Sequence, residues 1–317
     1  MRSRQKGTHM EDKYSGKKID VNDYTRKYID SILIEERIID STMPTLETDI
    51  FGEVFSSPIM TPAFSHLKAI GKDRENTMIE YARAAKELNI LNWVGREAND
   101  DDLIAEILAT GAKTVRIIKP YADHQIILDQ IRFAEEHGAF AVGIDIDHVY
   151  GNDGKYDVVD GYEMGPVMME DIKKYVASTK LPFVIKGILS VEDAVKCVEC
   201  GVNGIVVSHH SGRVPSAVPP LMVLPQIAEA TADSDMWIFA DCHIDSGVDA
   251  FKAIALGADA VSTGRAIMKP LVDEGTAGVV KKIQSMNEEL ITVMGYTGSR
   301  DVHEIEETML WVPGMDF

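Results

Sequence analysis

The segment Ser208-His209-His210-Ser211-Gly212-Arg213 combines a group that can move a proton with a group that can hold an anion. An imidazole changes its charge near neutral pH, while a guanidinium binds a carboxylate through two parallel hydrogen bonds. Four other polar runs each follow a hydrophobic run: Asp145-Ile146-Asp147-His148, Lys186-Gly187, Asp241-Cys242-His243 and Gly264-Arg265. If the fold brings these groups together, they could carry out acid–base chemistry on a small anionic molecule.

The hydrophobic runs before these groups have the length of strands and alternate with longer helical stretches. We predict eight strands, at residues 58–63, 90–95, 114–119, 141–146, 183–187, 204–209, 237–242 and 260–265. Each run is continuously apolar, as expected for parallel strands that are covered on both faces. Eight strand-then-helix units predict an α/β fold of the (β/α)8 TIM-barrel type. The alternative is a doubly wound sheet, which normally has fewer strands and a glycine-rich first turn that the sequence lacks.

The segments on either side of the eight units predict an N-terminal helical and hairpin extension and a helical C-terminus. A helix is expected at 24–34, and a hairpin at 48–54 could close the bottom of the barrel. Beyond the last strand, residues 278–294 are predicted to be helical and 300–309 to form a last helix. Residues 1–10 look like an expression-tag remnant, and residues 11–317 are predicted to form a single domain.

Composition and charge narrow the classes of partner. The formal net charge of -19 would repel a phosphate backbone or an anionic membrane surface, so we expect no nucleic-acid or membrane partner. No run of about 18 apolar residues is present, and the N-terminus lacks an apolar export signal. Three cysteines are too few for a disulfide framework and fit a reducing compartment. We therefore expect a cytoplasmic protein.

In a TIM barrel the C-terminal ends of all strands form one rim, so the polar runs are predicted to meet there as an active site. Burying such charges without partners would be costly. One alternative is that Lys186 and Asp145 form a structural ion pair. A second alternative is a metal site, for which the sequence offers Asp145, Asp147, His148, His210 and His243. We expect no metal, because neighbours such as His209 and His210 point to opposite faces of a strand.

Phosphate sites in TIM barrels commonly use the loops after the seventh and eighth strands. Here Ser246-Gly247 starts one predicted helix and Thr263-Gly264-Arg265 precedes the next. Backbone N–H groups at a helix N-terminus, together with Arg265, could hold a phosphate monoester. Cys197 and Cys200 have the spacing of metal-binding pairs, but they fall within a predicted helix and no second pair exists, which favours helix packing.

Three of these stretches together resemble the FMN-dependent 2-hydroxy acid oxidase and dehydrogenase family, which includes glycolate oxidase and lactate oxidase. They are 184–194, 204–213, and 251–258 followed by Gly264-Arg265. The resemblance implies that His210 is the active-site base, that Asp145 orients its imidazole, and that Arg213 binds the substrate carboxylate. It also implies FMN as the cofactor, with Lys186 beside flavin N1 and O2. The other positions expected to contact FMN are Pro62, Ala63, Ser208, Asp241, Gly264 and Arg265.

The chain departs from the family pattern at several positions near this site. Lys119 stands where the family has a tyrosine, and Gly143 replaces a threonine before the aspartate. The family's second carboxylate-binding arginine falls near Asn152. Asp245 stands where an arginine contacts the flavin phosphate, which is unfavourable by roughly a few kcal/mol unless the loop takes another route. The loop at 149–165 is also shorter than in well-known members.

The resemblance implies an FMN-dependent oxidoreductase that converts a small, lactate- or glycolate-like 2-hydroxy acid to the 2-oxo acid, with hydride transfer to flavin N5. One alternative is a flavin-dependent non-redox enzyme such as an isomerase, which the missing carboxylate anchors would allow. Another is a homologue that binds flavin or phosphate without turnover. The resemblance also implies a homotetramer or a higher homo-oligomer.

Overall fold

The structure is a computed structural model that describes residues 20–65, 67, 74, 76–95, 100–151 and 153–312. The predicted tag remnant at 1–10 and the Asn152 position therefore lie outside the described residues. Within the described ranges, no helix combines the length and the apolar character that crossing a bilayer requires.

Eight parallel strands form one sheet that curves into a barrel, as predicted. They are β1 (Ile59–Met60), β2 (Asn92–Gly95), β3 (Thr114–Ile118), β4 (Ala141–Asp145), β5 (Phe183–Ile188), β6 (Gly204–Val207), β7 (Trp237–Ala240) and β8 (Ala260–Ser262). Hydrogen-bonded pairing runs from β1 through β8 and back down to β2. Between β1 and β2, Thr61 bridges the gap by donating from N to Leu91 O at 3.2 Å and from Oγ1 to Asn92 Oδ1 at 2.7 Å. The predicted TIM barrel is confirmed.

Ten helices surround the strands in the described residues. They are α1 (Val21–Ser31), α2 (Thr77–Leu88), α3 (Asp101–Ala109), α4 (His124–Glu136), α5 (Met169–Ala177), α6 (Val191–Glu199), α7 (Pro220–Thr231), α8 (Gly247–Ala255), α9 (Arg265–Glu274) and α10 (Thr276–Thr297). Capping side chains fix several starts, as where Ser190 Oγ accepts from Asp193 N at 3.1 Å. Cys197 lies in α6 and Cys200 caps its C-terminus, and both are buried.

Most predicted strands are longer than the observed ones at their C-terminal ends. The predicted run 204–209, for example, pairs only over Gly204–Val207. Asp145 and Lys186 remain paired in β4 and β5, whereas most of the other polar residues that end these runs leave the ladder and form the rim loops. At Gly143 the strands approach so closely that a Cβ would lie 2.1 Å from Val184 O, so this position accommodates only glycine.

The bottom of the barrel is closed by the predicted hairpin, whose strands are Thr48–Ile50 and Glu53–Phe55. Phe51, at the turn, makes edge contacts with Trp237 and Phe239 and lies 3.2 Å from where a Cβ on Gly204 would be. Inside the barrel a layer of buried apolar side chains lies above it, including Met60, Leu91, Trp93, Val115, Val184, Val206 and Ala260. Trp93 is therefore a core residue.

The two terminal segments pair with each other, which corrects two predicted bounds. The helix expected at 24–34 ends at Ser31, because Leu33–Ile34 forms an antiparallel ladder with Leu310–Trp311. The helix expected at 300–309 is wrong. Two 3-10 turns, Val302–Glu304 and Glu307–Met309, occupy this segment, since the extended backbone of Ile305 separates them, and the extended backbone of Leu310 then enters the ladder.

Candidate active site

The rim of the barrel contains one cleft of about 310 Å³ where most of the predicted groups meet. The cleft is lined by Asn22, Pro62, Ala63, Phe64, Ser65, Lys119, His148, Lys186, His210, Ser211, Arg213, Asp241, Cys242, His243, Ser262, Gly264 and Arg265. Asp145 and Ser208 lie behind this surface and are almost fully buried. All predicted site residues therefore belong to one site, either on the cleft or directly behind it.

His210 is anchored through Nδ1 by two carboxylates. Asp147 Oδ1 is 2.7 Å away and Asp145 Oδ1 is 3.4 Å away, so Nε2 is left to face the cleft. Burial and Lys186 lower the pKa of His210, but the two carboxylates outweigh them and the net shift is upward. Sequence reasoning assigned this positioning to Asp145 alone. The signal for Asp147 was its spacing, since residues 145 and 147 share a face wherever the strand pattern continues.

The two aspartates differ in their electrostatic surroundings. Burial opposes ionisation of Asp145, but Lys186, His210 and Lys119 together hold its pKa well below the usual range. Burial and the charge of Asp145 raise the pKa of Asp147. Of the two carboxylates at this imidazole, Asp145 therefore stays ionised, whereas Asp147 takes up a proton more readily than Asp145 does.

Lys186 is the buried cation of the rim. Its Nζ donates to Ser208 Oγ at 3.2 Å and lies 3.4 Å from Asp241 Oδ2 and 4.0 Å from Asp145 Oδ1. Burial lowers the pKa of Lys186, yet the carboxylates around it, led by Asp241, raise it overall, so the group stays charged. The ion pair proposed as a structural alternative exists, but Lys186 also lines the cleft.

Lys119 places a second ammonium group at the centre of the site. The sequence identified this residue only as a departure from the family pattern. Its Nζ lies 3.1 Å from both Asp145 Oδ2 and His148 Nδ1. Burial, Lys119 and Arg213 lower the pKa of His148 to about 4, so its ring is neutral, accepts at Nδ1 and donates from Nε2 to Asp157 Oδ2 at 2.8 Å. Ligand atoms of Asp145, His148 and His210 lie within 4.8 Å of one another, but Lys119 already supplies a cation to two of these groups.

The loop after β7 follows another route than the resemblance suggested. Cys242 and His243 both have left-handed backbone, with φ of +70° and +64°. The loop carries Asp245 away from the cleft, and its carboxylate faces His243, which lowers the pKa of Asp245. Arg26 of α1 lies against the same loop and donates to His243 O at 2.9 Å and to Asp249 Oδ1 at 2.8 Å.

The two helix starts that were predicted to hold a phosphate, those of α8 and α9, differ in their surroundings. The start of α8 is already satisfied, because Gly247 N donates to Glu289 Oε2 at 2.8 Å and Ser246 Oγ accepts from Asp249 N at 3.0 Å. The prediction of an anion site at Ser246-Gly247 is therefore wrong. The start of α9 opens on the cleft, where Arg265 donates to His243 and to Asn22 Oδ1 at 2.8 Å.

Comparison with known proteins agrees with this geometry. The FMN-dependent dehydrogenase family matches residues 12–170 and 163–312. The chain belongs to this family. It is 28% identical to 4-hydroxymandelate oxidase of Amycolatopsis orientalis, over 87% of this chain and 86% of the relative, and 28% identical to glycolate oxidase 3 of Arabidopsis thaliana, over 89% and 85%. A structure of a mandelate oxidase variant with 2-hydroxy-phenylacetamide superposes with a TM-score of 0.81 at 29% identity, covering 92% of this chain and 89% of that one.

The cleft fits the cofactor of an FMN-dependent dehydrogenase. Lys186 can face the pyrimidine end of the flavin ring, and Gly264 lines the cleft without a side chain, beside Phe64 and Pro62. Two buried polar atoms at the rim, His209 Nδ1 and Thr263 Oγ1, have no hydrogen-bond partner among the described residues. Arg265 and the N-terminus of α9 supply positive potential for the phosphate.

Arg265→Met tests this assignment of the phosphate end. We expect the Kd for FMN to rise about ten- to hundred-fold, because a charged hydrogen-bond donor to the phosphate is lost, while riboflavin affinity stays the same because riboflavin has no phosphate. Quenching of flavin fluorescence measures both constants. Lys269→Met, one turn later on the exposed face of α9, is the matched control. An equal loss of FMN and riboflavin affinity would contradict the assignment.

Proposed function

We propose that this FMN-dependent dehydrogenase oxidises a small 2-hydroxy acid, of the lactate or glycolate kind, to the 2-oxo acid. The observation that carries the proposal is the arrangement of His210, Lys186 and Arg213 around one cleft, with His210 anchored on carboxylates through Nδ1. A base, an anion-binding guanidinium and a buried cation are the groups that this oxidation needs. The family relationship supports the same reaction.

In the proposed reaction Arg213 binds the substrate carboxylate and orients the carbinol carbon. FMN, when bound, supplies the acceptor for the hydride from that carbon. His210 Nε2 takes the hydroxyl proton while the carbon–oxygen double bond forms, and Asp145 and Asp147 stabilise the resulting imidazolium. Lys186 balances the negative charge that the oxidation brings to this side of the cleft.

Anaerobic mixing tests the proposal directly. The FMN-loaded protein is combined with lactate, glycolate or mandelate, and absorbance is followed near 450 nm, roughly where bound oxidised flavin absorbs. We expect bleaching and an equivalent amount of 2-oxo acid. A flavin that binds but is bleached by none of these acids would favour the non-redox alternative.

Asp147→Asn is expected to move the pH profile of flavin reduction. His210 acts as a base only when neutral, so the rate rises as pH passes its raised pKa. Removing one of the two carboxylates lowers the pKa of His210, and the rising limb should shift to lower pH by about one unit. Stopped-flow reduction between pH 5 and about pH 9 measures the limb. Asp129→Asn on the exposed side of α4 is the control, and an unmoved limb would show that Asp147 does not act on His210.

We also propose a cytoplasmic homo-oligomer, a homotetramer or larger, that has no nucleic-acid partner. Buried free thiols at Cys197 and Cys200 are compatible with a reducing compartment, and the net charge of -19 disfavours nucleic acid. Apolar side chains such as Ile39 and Met43, exposed by 88% and 83%, are the kind that a subunit interface would cover. Light scattering on the eluting protein measures the assembly.

A further inference from the structure

Asp157 contacts His148 and Arg213, which both line the cleft. Its Oδ2 accepts from His148 Nε2 at 2.8 Å and lies 3.6 Å from Arg213 Nη1, while its Oδ1 accepts from Val158 N at 2.9 Å. Its backbone is held too, with N donating to Val149 O at 2.9 Å and O accepting from Met164 N at 2.8 Å. The Asp157 carboxylate is therefore fixed in place by several partners.

The chain of contacts behind Asp157 begins at Lys119. Lys119 donates to His148 Nδ1, which leaves the hydrogen of the neutral ring on Nε2, directed at Asp157. His148 can then act only as a donor toward Asp157. This link orients the carboxylate toward Arg213, which comes from the loop after β6, whereas His148 and Asp157 share the loop after β4.

A ligand carboxylate bound to Arg213 would meet the Asp157 carboxylate at short range. Two like charges a few ångströms apart repel each other, even when a guanidinium lies beside both. Arg213 and Asp157 together present a hydrogen-bond donor next to an acceptor. A carboxamide, with its carbonyl oxygen and its N–H, matches such a pair, whereas a carboxylate offers acceptors alone.

We propose that Asp157 is a specificity determinant that reduces the preference of this site for a carboxylate over a neutral carboxamide. The proposal rests on the proposed function, since it takes Arg213 as the anchor for the group next to the carbinol. The site as built admits 2-hydroxy amides as ligands together with 2-hydroxy acids.

Pyruvate and pyruvamide test the proposal as a matched pair that has no carbinol to oxidise. Isothermal titration of the FMN-loaded protein gives the Kd of each, for the wild type and for Asp157→Asn. We expect the ratio of the pyruvamide Kd to the pyruvate Kd to rise about ten-fold in the variant, because a repelling charge is replaced by a neutral group of the same shape. The main change should be tighter binding of pyruvate.

Glu163→Gln is the control, because it removes an exposed carboxylate from the short hairpin that directly follows Asp157, Val158–Val159 with Tyr162–Glu163. An unchanged ratio in Asp157→Asn would overturn the proposal. Weaker pyruvate binding would also overturn it, since Asp157 would then serve to hold Arg213 in place. If neither ligand binds the wild-type protein, the subsite is not where we place it. Failure of the proposed function is a different result, in which 2-hydroxy acids leave the flavin oxidised whatever the binding ratio.

Discussion

His210→Gln lowers the rate of flavin reduction by a 2-hydroxy acid about 10³- to 10⁴-fold, which is the largest effect on activity that we expect. Glutamine keeps a hydrogen-bonding side chain but cannot accept the hydroxyl proton at neutral pH, so the contribution of general base catalysis is lost. Because His210 contacts the carboxylates rather than the phosphate end, FMN should still bind. Stopped-flow absorbance measures the rate.

His137→Gln is the control for this change. His137 caps the far end of α4, where its ring stacks on Phe133 at 3.9 Å between centroids, and it lies outside the cleft. If the His210→Gln variant reduces flavin at more than about a tenth of the wild-type rate, the loss of rate is smaller than the smallest contribution typical of a general base. The base would then have to be another group.

Lys186→Met destabilises the folded protein by about 3–5 kcal/mol, the largest effect on stability that we expect. The change removes the cation beside the partly buried Asp241 and one of the two ammonium groups beside the buried Asp145, which keeps Lys119, and loss of a partner from a buried charge pair is costly. Urea unfolding of the FMN-free protein measures the free energy of unfolding without a contribution from cofactor binding.

Two comparisons make the stability prediction specific to charge. Lys113→Met breaks an exposed pair with Glu53, whose side chain is 50% exposed, and should cost less than about 1 kcal/mol. Lys186→Met combined with Asp241→Asn should recover part of the lost stability, because one of the stranded carboxylates is removed. A double variant no more stable than the single one would show that the loss comes from packing.

The barrel and the location of the site could be predicted because both follow from patterns within single segments. Continuous apolar runs marked the strands, and the polar residues that end them had to share one rim. His210, Lys186 and Arg213 could be recognised because each lies in a contiguous motif that resembles the family. The first strand was harder to delimit, since β1 has only two paired residues and its closure onto β2 depends on the side chain of Thr61.

The contacts that distinguish this chain from the family pattern could not be predicted from patterns within single segments. Asp157 reaches Arg213 only because a short hairpin folds back across the rim, and nothing in the spacing of residues 157 and 213 indicates this. Lys119 was visible as a substitution, but its bond to His148 depends on the conformation of a loop. The start of α8 failed as a phosphate site because Glu289 comes from a helix 42 residues further along the chain. Such long-range pairings are set by packing and not by local sequence.

Phe51 and the aromatic rings that it contacts close the base of the barrel, which affects how a proton can leave the site. Phe51 and the layer of apolar side chains above it separate His210 from the base of the barrel, so the mouth of the cleft is the direct route from its Nε2 to bulk water. The ligand uses the same mouth. A bound product lies across this opening, so we expect the proton that His210 takes from the substrate hydroxyl to exchange slowly with water until the product leaves. Solvent deuterium should therefore enter the site once per turnover, in step with product release.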